Sequence, residues 1–421
     1  MKNLTKRTVA AVLTLWLSHF AFGQAPYKTV KVLALSPNSY VALNDSSQVL
    51  VNTGTASSNQ VSVWSRIGGA QSVSLIGTGG TGAAINNSGD VVGASGPNSS
   101  NNLEAFLWRP ASGSQYLGTL GSGFSMANGM NNADAVVGQS YTSGLVQHAF
   151  LWTQAGGMQD LTPSLTGFGA AATGINASGQ VVGYYYPDGA QNTLGFLWTA
   201  AAGLQSLGAP GTLAYGINDA GTVVGQSAFA NGAKHAFSWT SAGGITDLGT
   251  LGGASSSALG INNHGWIVGS SLTTAGALHG FLWTPAGGMR DFGSLAGMNG
   301  QPYSLQINNY GIIAVTVKQG GFLLIPKIMG TFSSSANPSK VGQPVTFTAT
   351  LTSFVGPPPD GETVRFAFKG KVLGTATLTG GVAQFTTSAL TAGTGTVSFT
   401  YLGDANYLLT KWNAFAQVVN P

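Results

Sequence analysis

Three histidines, His148, His235 and His279, recur at one place in the sequence, each two residues ahead of a phenylalanine. Imidazoles gathered at a point would hold zinc or move protons. Glu104 stands at the same place in another copy, and Asp160, Asp247 and Asp291 share a second recurring place. Asp45, Asp90, Asp134 and Asp219 fall near a recurring Asn-containing turn. Two carboxylates converging on a cleft would supply the acid and base of glycoside hydrolysis. Whether any of these groups meet depends on the elements that carry them.

Those elements are set by a repeat. One phrase reads INNSGDVVG from Ile85, MNNADAVVG from Met130, INASGQVVG from Ile175, INDAGTVVG from Ile217 and INNHGWIVG from Ile261. A divergent copy, LNDSSQVLV, begins at Leu43, and a degraded one, INNYGIIAV, at Ile307. The marker asparagines are Asn44, Asn86, Asn131, Asn176, Asn218, Asn262 and Asn308, spaced 42 to 46 residues apart. A second phrase of the FLW type, marked by Trp64, Trp108, Trp152, Trp198, Trp239 and Trp283, follows each copy but the last. Periods of this size belong to arrays, solenoids or propellers.

Each unit divides into four short apolar stretches between turn residues. In the fourth unit they are 172–176, 180–186, 194–199 and 203–207. Stretches of this length, rich in Val, Ile, Phe and Trp, are strands, and none is long enough for an ordinary helix. The marker Asn can bond its own downstream backbone, and the Gly three residues later accepts a positive φ. Four strands in roughly 44 residues make one propeller blade. The seventh unit stops after its third strand, near 322–325, while a lone strand, 29–35, precedes the first unit. That strand can complete the seventh blade and hide two sheet edges. The expected fold is all-β, a seven-bladed β-propeller over 27–326. An open solenoid is the alternative, but it requires polar caps.

The phrases HAFLW, GIN..G.VVG and DLGTLGG resemble the bacterial extracellular HAF-repeat family over roughly 27–326. That resemblance implies an extracellular repeat domain and assigns no activity. From Gly330 to the end, at 330–421, the composition shifts to Thr, Ser, Val and Phe. Strands at this spacing predict an antiparallel immunoglobulin-like β-sandwich. Asn337-Pro338, Val341-Gly342-Gln343 and Gly403-Asp404-Ala405-Asn406-Tyr407 make this part similar to disulfide-free bacterial immunoglobulin-like domains. The likeness implies a spacer or an adhesion module.

Composition narrows the function classes. The chain of 421 residues has no cysteine, which removes disulfides, thiolate nucleophiles and cysteine-ligated zinc. Lys2, Lys6 and Arg7 precede a mostly apolar, uncharged run at 8–22, and Ala21-Phe22-Gly23 places small residues where a signal peptidase reads. The segment 1–23 is therefore expected to be a signal peptide, cut between Gly23 and Gln24, with a cut after Ala25 as the alternative. Removing it leaves thirteen basic residues against twelve acidic ones, with no basic stripe. Nucleic acid and anionic membranes are then poor partners. No membrane span, cofactor or phosphate-loop motif is present.

In a propeller the third strand lies about 10 Å outside the channel-lining first. Blades diverge outward, so the three histidines are not expected to share a metal, whose ligand bonds are about 2 Å. The periodic acids are expected to be scaffold, and the Phe-x-Trp pairs inter-blade core. Departures from the repeat point to function instead. Tyr184, Tyr185 and Tyr186, followed by Pro187-Asp188-Gly189, replace the usual end of the second strand. Their loop lies on the crossover face, where aromatic rings could stack on sugar or peptide. Phe229 of the next unit could join them. The expected function is a secreted, non-enzymatic binding or adhesion protein for a glycan or an extracellular protein. A polysaccharide-acting enzyme using Asp188 and Glu104, and a purely structural surface protein, are the alternatives. A periplasmic location is the alternative to release, and the oligomeric state is not encoded in any motif.

Overall fold

The computed structural model describes residues 27–32, 41–53, 60–97, 102–165, 169–187, 193–229, 232–291, 304–317 and 320–421. The expected signal segment with Gly23 and Gln24, residues 33–35 of the expected first strand, and Asp188 lie outside the described residues. Among the described residues every regular element is a strand.

The repeats fold into four-stranded antiparallel meanders. Six are continuous in sequence, spanning 41–72, 79–116, 121–160, 169–210, 213–247 and 252–291. A further four-stranded sheet combines Ser304–Ile307, Ile313–Val317 and Gly320–Pro326 with Tyr27–Lys31 from the other end of the chain. Its two ends pair antiparallel, Tyr27 with Pro326 through Lys31 with Phe322. The expected donation of the first strand to the last repeat is thus observed. These sheets are numbered blades 1 to 7 in the order of their marker asparagines.

The blades pack face to face through the repeated hydrophobic residues. Between blades 3 and 4, for example, Val137, Ala149 and Leu161 meet Ala172, Val181, Phe196 and Trp198 in one cluster. Phe106, Phe150, Phe196, Phe237 and Phe281 are fully buried. The Phe-x-Trp pairs are therefore inter-blade core.

The glycine of the VVG phrase has a steric cause. In blades 2 to 6 the first strand carries a register shift, such as that between Ala172 and Gly174, opposite this glycine. A β-carbon on Gly183 would overlap the carbonyl oxygen of Ala171 and press on the Phe196 ring. Blades 1 and 7 have Val51 and Val315 instead, and their first two strands pair without a shift. A β-bulge that draws the backbone close and a residue without a side chain are one device.

Residues 329–420 form a sandwich. One sheet orders Met329–Ser334, Val345–Thr352 and Val382–Thr387. The other orders Ser339–Lys340, Thr410–Asn420, Gly393–Tyr401, Thr363–Phe368 and Lys371–Thr377. Phe347, Phe366, Phe399 and Tyr401 fill the space between them and are fully buried.

Candidate functional site

Two ends of the blade assembly must be distinguished. Each first strand runs into the Asn-containing turn, so these turns share one end, the hairpin face. The loops joining second to third strands, and the crossovers between blades, share the other.

At the hairpin face the marker asparagines form a belt. Each Oδ1 accepts the amide four residues on, as Asn176 does from Gln180 (2.9 Å) and Asn308 from Ile312 (2.9 Å). The Nδ2 reaches the next blade and donates to the backbone carbonyl of its marker Asn. Asn44 donates to Asn86, Asn131 to Asn176, Asn176 to Asn218, Asn218 to Asn262, Asn262 to Asn308 and Asn308 to Asn44, at 2.8–3.1 Å. A buried polar group left unpaired costs about 1–3 kcal/mol, so this belt spends every marker side chain on the scaffold.

One position is different. Asn86 Nδ2 donates instead to Asp134 Oδ1 (2.8 Å) and Asp90 Oδ2 (3.3 Å). Arg109 donates from Nη2 to Asp134 Oδ2 (2.9 Å), and its Nε stands 3.8 Å from Asp90 Oδ2. Asp134 occupies the turn's glycine position with φ 60°, a conformation that costs an ordinary residue energy. Its carboxylate spans the seam between blades 2 and 3. Burial raises the Asp90 carboxyl above its usual range, partly offset by its bond from Asn86.

Inside the belt lies an axial cavity of about 180 Å3 to which every repeat contributes the same three positions, such as Ile175, Asn176 and Ala177. Its carboxylates are Asp45 and Asp219. Asp45 accepts the Asn309 amide (2.8 Å) and the side chains of Asn87 and Asn309 (both 3.0 Å). Asp219 accepts the Ala177 amide (2.9 Å) and Asn263 Nδ2 (2.6 Å). These groups brace neighbouring turns.

The histidines and the fourth-strand aspartates meet each other. His148 Nδ1 lies 2.7 Å from Asp160 Oδ2, and His235–Asp247 and His279–Asp291 lie at 2.8 Å. Each pair stays within one blade, tying the third strand to the fourth. The partners are twelve residues apart. Both occur in blades 3, 5 and 6, and blades 1, 2 and 4 carry Gln60/Ser72, Glu104/Tyr116 and Leu194/Ser206 in their places. This joint presence was the signal that a residue-by-residue reading missed. Glu104 accepts the Gly118 amide at 3.1 Å. Among the described residues no group of three or more His, Asp or Glu side chains could hold a metal.

The aromatic candidates separate. Tyr184 and Tyr186 share one face of their strand, ring centroids 6.1 Å apart and edge to face. Tyr215 lies on the first strand of blade 5. Burial raises the Tyr184 and Tyr215 phenols above their usual range, and neighbouring phenols add to the rise. Tyr185 points the other way, into the core between blades 3 and 4 beside Phe196 (6.4 Å). Phe229 packs into the core between blades 4 and 5 and over His235 (5.7 Å). The structure thus pairs Tyr184 with Tyr186 and sends Tyr185 and Phe229 into the inter-blade core.

A family match agrees with the C-terminal part of this architecture. Residues 332–420 match the family model of the bacterial Ig-like domain (group 3). No curated protein matches the chain. Among solved structures, a streptogramin B lyase is 13% identical, covers 72% of this chain and all of its own, and has a TM-score of 0.46. Virginiamycin B lyase from Staphylococcus aureus is 11% identical over 71% of this chain and 98% of its own, at 0.45. YCF48 bound to D1 peptide is 10% identical over 72% and 98%, also at 0.45. At these scores the likenesses carry nothing about chemistry. The chain is an all-β protein of propeller-like four-stranded blades followed by a bacterial immunoglobulin-like domain.

Proposed function

We propose that the chain is an extracellular, non-enzymatic recognition protein. Residues 27–326 are a closed seven-bladed β-propeller of HAF-type repeats, 330–421 are its sandwich, and the crossover face binds a glycan. The observation that carries this reading is the edge-to-face pair of Tyr184 and Tyr186. Its half-buried phenols combine an apolar face with a polar tip, the combination that suits sugar rings and their hydroxyls. Extracellular placement is supported by the immunoglobulin-like match and by the expected signal segment. The lack of a catalytic role is supported by the partners of the periodic groups. The imidazoles are tied to Asp160, Asp247 and Asp291, and the turn carboxylates to neighbouring blades.

The test is binding of the full chain to a glycan and cell-wall array. A hit that is lost in Tyr184→Ala/Tyr186→Ala, with the far-ultraviolet spectrum unchanged, supports the reading. A hit that survives the double variant moves the site elsewhere. A blank array, or release of reducing ends from a polysaccharide, removes the glycan-binding reading in favour of a protein partner or an enzyme.

A further inference from the structure

We propose that the C-terminal sandwich has a function of its own, as a clasp that holds the blade ring shut. The sequence likeness implied a spacer or adhesion module, yet the junction is not that of a spacer. Only Lys327 and Ile328 separate the last blade strand, ending at Pro326, from the first sandwich strand, beginning at Met329. Ile328 is buried in the sandwich core. Two residues, one of them buried, leave the domain little freedom to swing.

Among the described residues, two sandwich loops, around 353–356 and 403–408, make ring contacts and hydrogen bonds to the hairpin face at blades 6, 7 and 1. On blade 6, Trp266 stacks on Phe354, with centroids 5.1 Å apart and planes at 19°. On blade 7, Tyr310 meets Tyr407 edge-on at 6.3 Å, and Val355 sits where a β-carbon on Gly311 would be. On blade 1, Ser47 donates to Asn406 Oδ1 at 2.6 Å. Arg66 Nη2 there donates to the backbone carbonyls of Asp404 and Tyr407. Blades 7 and 1 are the pair whose contact joins the two ends of the repeat array. One domain therefore grips both sides of the closing seam.

The closing strand itself is held from the same place. Tyr27–Lys31 is five residues long, and Tyr27 is its one fully buried side chain. The Tyr27 ring meets Phe354 edge-on at 4.9 Å, and its hydroxyl donates to the Gly311 carbonyl at 3.2 Å. A short edge strand near a chain end frays unless tied down. Here the tie runs through the sandwich.

The repeat provides an internal control. Two residues after the marker Asn, blades 1 to 5 carry Ser or Ala, where blade 7 has Tyr310. Four residues after it, Trp266 is the one aromatic among the seven. The turn's glycine position holds Ser47 in blade 1, with φ 55°. The two aromatic departures fall on blades the sandwich touches, whereas the glycine position is also replaced in blade 3, by Asp134.

The experiment is hydrogen exchange on the full chain and on Phe354→Ala, with Arg66→Ala as an independent variant should the first not fold. The clasp predicts exchange about tenfold faster in 27–32 and 320–326, with the strands of blade 4 unchanged. Unaltered exchange at 27–32, while 264–266 and 403–408 become exposed, would overturn it. Uniform acceleration through all blades would overturn it equally, because that is loss of global stability rather than release of a seam.

Discussion

Asn308 donates its side-chain amide to the carbonyl of Asn44, 3.1 Å away in space and 264 residues away in sequence. The same bond joins successive blades elsewhere, so the contact between first and last repeats is chemically the same as an internal one. Closure is not a special interaction here but the repeat unit's ordinary one.

Asn308→Asp tests this. The Oδ1 contacts to Tyr310 and Ile312 are kept, while the Nδ2 donor becomes an oxygen facing the Asn44 carbonyl. Leaving that buried acceptor unpaired is expected to cost about 1–3 kcal/mol. Urea denaturation should show a midpoint below the parent's, and an unchanged midpoint would show that the Asn308–Asn44 bond does not hold the seam.

Gly183→Ala addresses the bulge. The new methyl would overlap the Ala171 carbonyl and the Phe196 ring, and backbone is slow to yield. Overpacking of this kind costs about 1–3 kcal/mol, and more when the obstacle is main chain. A midpoint within error of the parent would show that the first strand can move, and would remove the steric account of the VVG phrase.

Glu362 gives a pH dependence. Burial first, then the charge of Asp404 and a hydrogen bond to it, raise the Glu362 carboxyl above its usual range. The folded chain therefore holds this proton more tightly than the unfolded chain does. Stability from this group is fully present at low pH and is lost as pH rises through the raised value. Glu362→Gln should melt at a higher temperature than the parent at pH 7. The two should converge below about pH 4, where both side chains are neutral. Equal melting temperatures throughout would refute the assignment.

The blades were legible because their determinants are local and repeated: a turn asparagine, a glycine and a buried phenylalanine at a constant spacing. The donation of the first strand to the last sheet was legible too, since a three-stranded remnant at one end matched a lone strand at the other. What escaped were relations between repeats. Nothing in one copy says that the amide of Asn176 serves Asn218, because a marker's self-capping already accounts for its conservation of type. Asp160 was read as scaffold and His148 as no metal ligand, but their pairing required comparing which blades lack both. Among the tyrosines, strand alternation sends Tyr185 away from Tyr184 and Tyr186. The aromatic departures at Trp266 and Tyr310 were visible, yet their partners belong to another domain.

The amide belt also bears on how such a chain can grow. Each unit offers one donor ahead and one acceptor behind, so copying a unit into most seams would leave no group stranded. The seam between blades 2 and 3 is the exception, because Asn86, Arg109 and Asp134 recognise each other individually. An extra copy placed there would part Asp134 from both Asn86 and Arg109. Duplication is thus tolerated by the general chemistry of the ring and vetoed at one address, which makes that address the natural origin from which the units can be counted.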